Sequence, residues 1–174
     1  MDFSVRRLKP GEWRDYRNLR LEALEAEPLA FVEQYAKSVL EPDEFWQSRV
    51  LKGATDPAFA TFVAIHDGQM IGKASGFVDN EMTEPTVHLV GVYVQPAFRG
   101  AGIGVSAGVV TAVMRWARDA IEASQVRLYV TEVNGRAEAF YARLGFTRTG
   151  NTMPYPHDPS ITEFEMLNAK LDSV

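Results

Sequence analysis

The chain has no cysteine. That absence excludes a disulfide framework, a thiolate metal site and a cysteine nucleophile, and no metal centre is expected. It also agrees with a reducing compartment, so the expected location is cytoplasmic. Long apolar runs are missing as well. Nothing approaches the ~20 residues of a membrane-spanning helix. Residues 1–10 lack the apolar centre of a signal peptide, and no membrane partner is expected. Basic residues are outnumbered, 18 against 23 acidic, for a net charge of −5. That balance argues against a nucleic-acid partner and is compatible with cationic substrates. No repeat, low-complexity tract or long linker interrupts the sequence.

A chain of 174 residues is long enough to bury a core without staples, and a single domain over residues 1–174 is expected. Residues 3–8 read as a strand. Pro10-Gly11-Glu12 opens a helix with Trp13, Tyr16, Leu19, Ala23 and Ala26 at helical spacing, and Pro28 ends it. Pro42 starts a second helix. Residues 59–66 and 70–78 are two strands joined by Asp67-Gly68, a hairpin-type turn. An acidic loop over residues 79–85 precedes a β-branched run that begins at Val87 and stops at Pro96. A helix over residues 102–120, a strand over 126–130 and a short helix over 134–144 follow. Strands over 146–149 and 162–167 complete the set. The fold class is α/β, mixed without strict alternation: an early hairpin feeds a later βαβ unit.

The segment Val92-Tyr93-Val94-Gln95-Pro96-Ala97-Phe98-Arg99-Gly100-Ala101-Gly102-Ile103-Gly104 has the order strand, turn, helix N-terminus. Glycines allow close backbone approach to a ligand. The first helical turn carries unpaired N–H groups and the positive end of the dipole. Together they form an anion cradle suited to phosphate. A Walker A loop would need Lys-Ser/Thr after the last glycine, whereas Val105-Ser106 stands there. Residues 102–107 fit G-x-G-x-x-A, the dinucleotide fingerprint, but that fingerprint belongs directly after a strand, and here residues 95–101 intervene. The segment also reads as a Gly-rich connection needed only for close packing.

A second motif runs from Asn134 to Phe146. Asn134 is a plausible N-cap. Ala137, Phe140, Tyr141 and Leu144 share one helix face, and Gly145 supplies the C-cap. On its own this is a capped amphipathic helix, and Tyr141 is a core tyrosine.

The two segments together carry a resemblance. Arg99-Gly100-Ala101-Gly102-Ile103-Gly104 fits R/Q-x-x-G-x-G/A, and residues 134–146 fit N-x-x-A-x-x-F-Y-x-x-x-G-F. In this order they resemble the GNAT superfamily of acetyl-coenzyme A-dependent N-acetyltransferases. The resemblance implies a central, mostly antiparallel mixed sheet of about seven strands, splayed between the fourth and fifth and flanked by about four helices. It implies acetyl-CoA as co-substrate and an amine of a small molecule or a protein as acceptor. Dimers are common in the family, so a homodimer is left open.

The resemblance also implies roles for residues. Val92 and Val94 would pair through their backbone with the pantetheine arm. The backbone of Arg99, Gly100, Ala101, Gly102, Ile103 and Gly104 would hold the pyrophosphate. The side chain of Asn134 would bond the pantetheine arm, and Tyr141 would be the general acid. His88 falls where many members carry a basic glutamate; with a reference pKa near ~6.5, imidazole can act as a base at neutral pH. It also reads as a histidine on the sheet surface. Glu81 and Glu84 are alternatives, and each also reads as plain solvated charge. The acceptor is expected against the first two helices and the 79–85 loop. Two other function classes stay open: a non-catalytic acyl-CoA-binding module and a dinucleotide-dependent oxidoreductase.

Overall fold

The computed structural model describes residues 1–100 and 102–174. Its strands are β1 (Ser4–Arg7), β2 (Phe59–His66), β3 (Gln69–Val78), β4 (Thr86–Val94), β5 (Gln125–Thr131), β6 (Thr147–Tyr155) and β7 (Asp158–Asn168). Its helices are α1 (Trp13–Ala26), α2 (Tyr35–Ser38), α3 (Asp43–Thr55), α4 (Val105–Asp119) and α5 (Gly135–Arg143). The strands form one 7-stranded sheet in the order β1-β2-β3-β4-β5-β7-β6. Five of the six neighbouring pairs are antiparallel. The exception is the parallel pair β4 and β5. The mixed sheet expected from the sequence is present, with its opening between the fourth and fifth strands. No described helix is long and apolar enough to cross a membrane.

Hydrophobic patterning explains why the sheet is covered on both faces. Val105, Val109, Val110, Val113 and Met114 form the stripe of α4 that packs on Val87, Leu89 and Leu128. Each such aliphatic side chain contributes about 1.5–3 kcal/mol when buried. Trp13, Tyr16, Leu19, Ala23 and Leu24 of α1 pack with Trp46 and Val50 of α3 on the other face.

Boundaries depart from the expectations in four places. The helix expected from residue 102 begins at Val105, because Gly104 sits at its N-cap in the left-handed region, φ +81°. The one-turn α2 adds a fifth helix. The last two strands are longer than expected and form a hairpin, Thr147–Tyr155 with Asp158–Asn168. β6 is an edge strand, exposed along nearly all its length, so it shows no apolar alternation. Pro154 is tolerated there because an edge strand need not donate on both sides. A register shift between Arg148 and Thr152, with Gly150 at φ +93°, further obscures the period.

Candidate active site

Pairing between β4 and β5 covers only Thr86↔Gln125, Val87↔Val126 and His88↔Arg127. Beyond that point the strands part and leave a cleft of about 720 Å³. Its walls are Leu89 to Val94 on β4 and Leu128 to Thr131 on β5. The α5 face bearing Ala137, Phe140, Tyr141 and Leu144 closes one side, and residues 27–31 close another. A gap lined by two strands with unpaired edges suits an extended, amide-bearing ligand that completes the ladder.

The geometry of β4 changes within the cleft. Lys73↔Tyr93 and Ser75↔Val90 are register partners, so Gly91 and Val92 together face Ala74. This bulge switches the side-chain alternation: Val87 and Leu89 pack on the α4 face, and beyond it so do Val92 and Val94, while Tyr93 turns to the α1 face. Gly91 has φ +63°, a conformation glycine adopts without penalty. Val92 and Val94 both line the cleft.

The cleft runs on to Arg99, Gly100, Gly104, Ser106 and Ala107. Gly100 has φ +119°. A Cβ placed on Gly100, Gly102 or Gly104 would meet nothing within 4 Å, so the backbone is open to a ligand rather than packed against the protein. That openness is what an anion cradle needs and what close packing does not require. The N–H groups of Ile103 and Gly104 bond to the Gly100 carbonyl, so they are partly spent inside the turn. The first-turn amides of α4, from Ser106 and Ala107, border the cleft and have the stronger claim on an anion. Ala101 lies outside the described residues. Arg99 is fixed: Nε donates to the Val94 carbonyl at 2.6 Å, and Nη1 pairs with Glu27 at 2.7 Å. Arg136 and Arg143 of α5 also border the cleft. They share a face with Phe140 at helical spacing, a signal overlooked beside the apolar stripe.

Asn134 caps α5, its Oδ1 accepting from the Ala137 N–H at 3.2 Å. Its Nδ2 makes no hydrogen bond among the described residues and stands on the cleft wall. Tyr141 is half-buried against Phe140 and Phe146. Burial, helped by the Glu27 charge, raises its phenol above the usual value. It stays protonated at neutral pH, and its hydroxyl has no hydrogen-bond partner among the described residues.

His88 is brought to the foot of the gap but not into its wall. It stands where β4 and β5 are still paired, between the tilted rings of Phe77 and Tyr129. Its Nδ1 is 3.7 Å from Asp79. Burial, and next the Arg127 charge, push its pKa down to about 4. Arg127 is itself clasped by Asp79 at 2.7 Å and Glu165 at 3.3 Å. Glu81 and Glu84 are exposed in the loop beyond Asp79, away from the cleft.

Glu163 of β7 was not expected. It is half-buried, lines the cleft, and has no hydrogen-bond partner among the described residues. Burial raises its carboxyl above the usual range. Nearby, the Tyr155 hydroxyl donates to the carbonyls of Pro28 and Phe31. The C-terminal hairpin thus pins the 27–31 loop over the cleft. No sequence signal marks Glu163, because a charged residue alternating with Phe164 and Met166 reads as the polar face of an ordinary strand.

Known proteins agree with this geometry. An uncharacterised N-acetyltransferase of Mycobacterium tuberculosis is 33% identical over 103 residues, 59% of this chain and 62% of that protein. The chain thus matches less than two thirds of that relative's length. The fold is shared with a ribosomal-protein-alanine N-acetyltransferase of Brucella melitensis. That structure has TM-score 0.77 and 19% identity, with 95% of this chain and 99% of that one covered. It is also shared with the PaiA N-acetyltransferase of Thermoplasma acidophilum in complex with coenzyme A. There the TM-score is 0.74 and the identity 16%, with 97% and 99% covered. The sequence model of the Acetyltransferase (GNAT) family matches residues 13–146, a span that takes in the parted strands, the glycine cradle and the tyrosine helix, and the chain belongs to that family.

Proposed function

We propose that this protein transfers an acetyl group from acetyl-CoA to a primary amine of a small molecule or a protein, by direct attack in a ternary complex. The parted β4–β5 gap carries the reading, because it leads from an open glycine cradle to a tyrosine hydroxyl with no partner among the described residues. The fit is physical. The cradle and Arg99 offer donors for a diphosphate, and the unpaired strand edges offer backbone groups for the pantetheine amides. When bound, the thioester supplies the acetyl carbon, whose bond to sulfur breaks as the bond to nitrogen forms. A β4 N–H in the gap stabilises charge on the carbonyl oxygen. The amine, with a free pKa near ~10.4, arrives protonated and must lose its proton to a base or to water. Tyr141 gives its proton to the departing sulfur and regains one from the nitrogen, which sheds its second proton as the amide forms, so protons balance and no covalent enzyme adduct is needed.

His88 is the base suggested by the sequence, and Glu163 is the alternative the geometry favours, because it borders the cleft. A thermal-shift panel of acetyl-CoA, CoA, NAD and ATP tests the co-substrate, since a ligand that binds the folded state raises its stability. Gly102→Val should abolish the acetyl-CoA shift with little change in the unliganded melting temperature, because the added side chain enters open space. Thiol release across an amine panel tests the transfer. Binding without amine-dependent release would leave an acyl-CoA-binding module, and stabilisation by NAD alone would favour an oxidoreductase.

A further inference from the structure

Lys73 is 1% exposed in the middle of β3, a place where sheet interiors normally hold an aliphatic residue. Its amine forms no ion pair among the described residues. Among the described residues it makes one hydrogen bond, Nζ to the Gly91 carbonyl at 2.7 Å. The Tyr16 ring lies 5.5 Å from it. Gly91 is the bulged residue of β4, at φ +63°. A Cβ on Gly91 would come within 3.2 Å of the lysine Nζ and 3.9 Å of Arg20 Nη1. The absent side chain and the reach of the lysine therefore meet at one point.

We propose that Lys73 is a positioning residue whose amine holds the Gly91 carbonyl toward β3 and so turns the Val92 N–H into the β4–β5 gap. The geometry follows from the planar trans peptide, in which C=O and the next N–H point in opposite directions. β3 flanks β4 on the side away from β5. A carbonyl drawn toward a β3 side chain leaves its partner N–H facing the gap. The bulge takes this peptide out of the β3 ladder, so the ladder alone does not fix its plane. Without the lysine, the plane could turn at a glycine with little resistance.

Burial and surrounding charge disfavour the charged form of the amine in this role. Burial first, and then the nearby Arg20 and Arg49 charges, push the Lys73 pKa well below its ordinary value, against the weaker pull of Glu33. A neutral amine keeps N–H donors for one carbonyl and avoids burying a further cation among arginines.

The proposal rests on the acetyl-transfer reading, in which a β4 N–H in the gap meets the thioester carbonyl oxygen, and it takes that N–H to be the one of Val92. Two measurements keep the two separable. The first is a ¹H–¹⁵N spectrum of the unliganded protein with Lys73→Met, a side chain of similar length without a donor. The Gly91 and Val92 amide signals should move, while those of Val87 and Leu89 stay in place. Unmoved Gly91 and Val92 signals would overturn the positioning role whatever the reaction. The second is turnover per folded molecule. It should fall about 10–100-fold, less than the ~10²–10³ lost when an oxyanion donor is removed. CoA, which lacks the acetyl carbonyl, should bind within about threefold of the original. Turnover within about twofold would overturn the proposal. Wild-type protein that releases no thiol with any amine would overturn the acetyl-transfer reading alone, and the spectrum would still decide for Lys73. Because the chain has no cysteine, Lys73→Cys can be aminoethylated at one site in denaturant and refolded. The aminoethylated form should regain the amide signals and the turnover that the unmodified thiol form lacks. This pair replaces Lys73→Met if that variant does not fold.

Discussion

Arg99 Nη1 and Glu27 Oε1 stand 2.7 Å apart, which ties the glycine-turn end of the cleft to the loop at its other wall. Arg99 follows the strand end on β4, and Glu27 closes α1. A guanidinium held at Nε by the Val94 carbonyl and at Nη1 by a carboxylate has little freedom left. Its remaining donors are set in place before any ligand arrives.

Arg99→Gln should weaken CoA binding about 10–100-fold, the range for losing a hydrogen bond between charged groups. The loss should shrink as salt is raised, since part of it is Coulombic. Glu27→Gln should leave CoA affinity within about threefold, because the Val94 carbonyl still orients the guanidinium. Titration calorimetry on both variants at two salt concentrations checks this. Equal losses in the two variants would mean that the ion pair, and not Arg99 itself, holds the ligand.

Tyr141→Phe removes a hydroxyl that has no partner among the described residues, so stability should change little. Turnover should fall ~10²–10⁴-fold with CoA affinity near that of the original, as for loss of a general acid. Its raised phenol pKa keeps the acid form through the ordinary range, so Tyr141 should add no alkaline limb below the free-tyrosine value near ~10. Near-normal turnover per folded molecule would return Tyr141 to the core.

The βαβ half of the fold is legible because its signals are redundant. Val109, Val110, Val113 and Met114 keep helical spacing between a glycine turn and a strand, and Gly145 ends the next helix. The site is legible where backbone makes it, as at Val92, Val94 and Gly100. It is not legible where long-range contacts make it. Nothing beside Lys73 in sequence says that its amine ends on Gly91, and nothing beside Glu163 says that its strand lies next to β5 at the cleft. His88 shows the opposite limit. Its position on the strand is as expected, but whether the strands have parted at that point is a property of the sheet, not of the residue.

His88 should make the protein acid-sensitive. Its folded pKa of about 4 lies below the unfolded value near ~6.5. Between those values the unfolded chain binds the extra proton, so stability falls as pH drops from about 6.5 to about 4 and is level in this respect above and below. The full contribution is roughly 3 kcal/mol. His88→Leu should therefore flatten the pH dependence of the unfolding free energy across that window, read from urea denaturation at half-unit steps. An unchanged slope would mean that the ring is protonated in the fold and that Asp79 outweighs burial and Arg127.

Glu163 and His88 make opposite predictions for the acid limb of the rate. Glu163 borders the cleft with its carboxyl raised by burial alone, and a carboxylate accepts a proton only above its pKa. If it takes the amine proton, kcat/KM should rise with pH through that raised value. Glu163→Gln should then lower turnover ~10²–10⁴-fold and remove that inflection. His88→Leu should leave the limb in place, because its ring stands outside the cleft wall beside Asp79 and Arg127. Both profiles are to be taken with one amine, whose own titration then affects them equally, and with turnover scaled to folded protein. A limb that survives Glu163→Gln and vanishes in His88→Leu would restore the histidine as base. A limb that survives both changes would leave the proton to water.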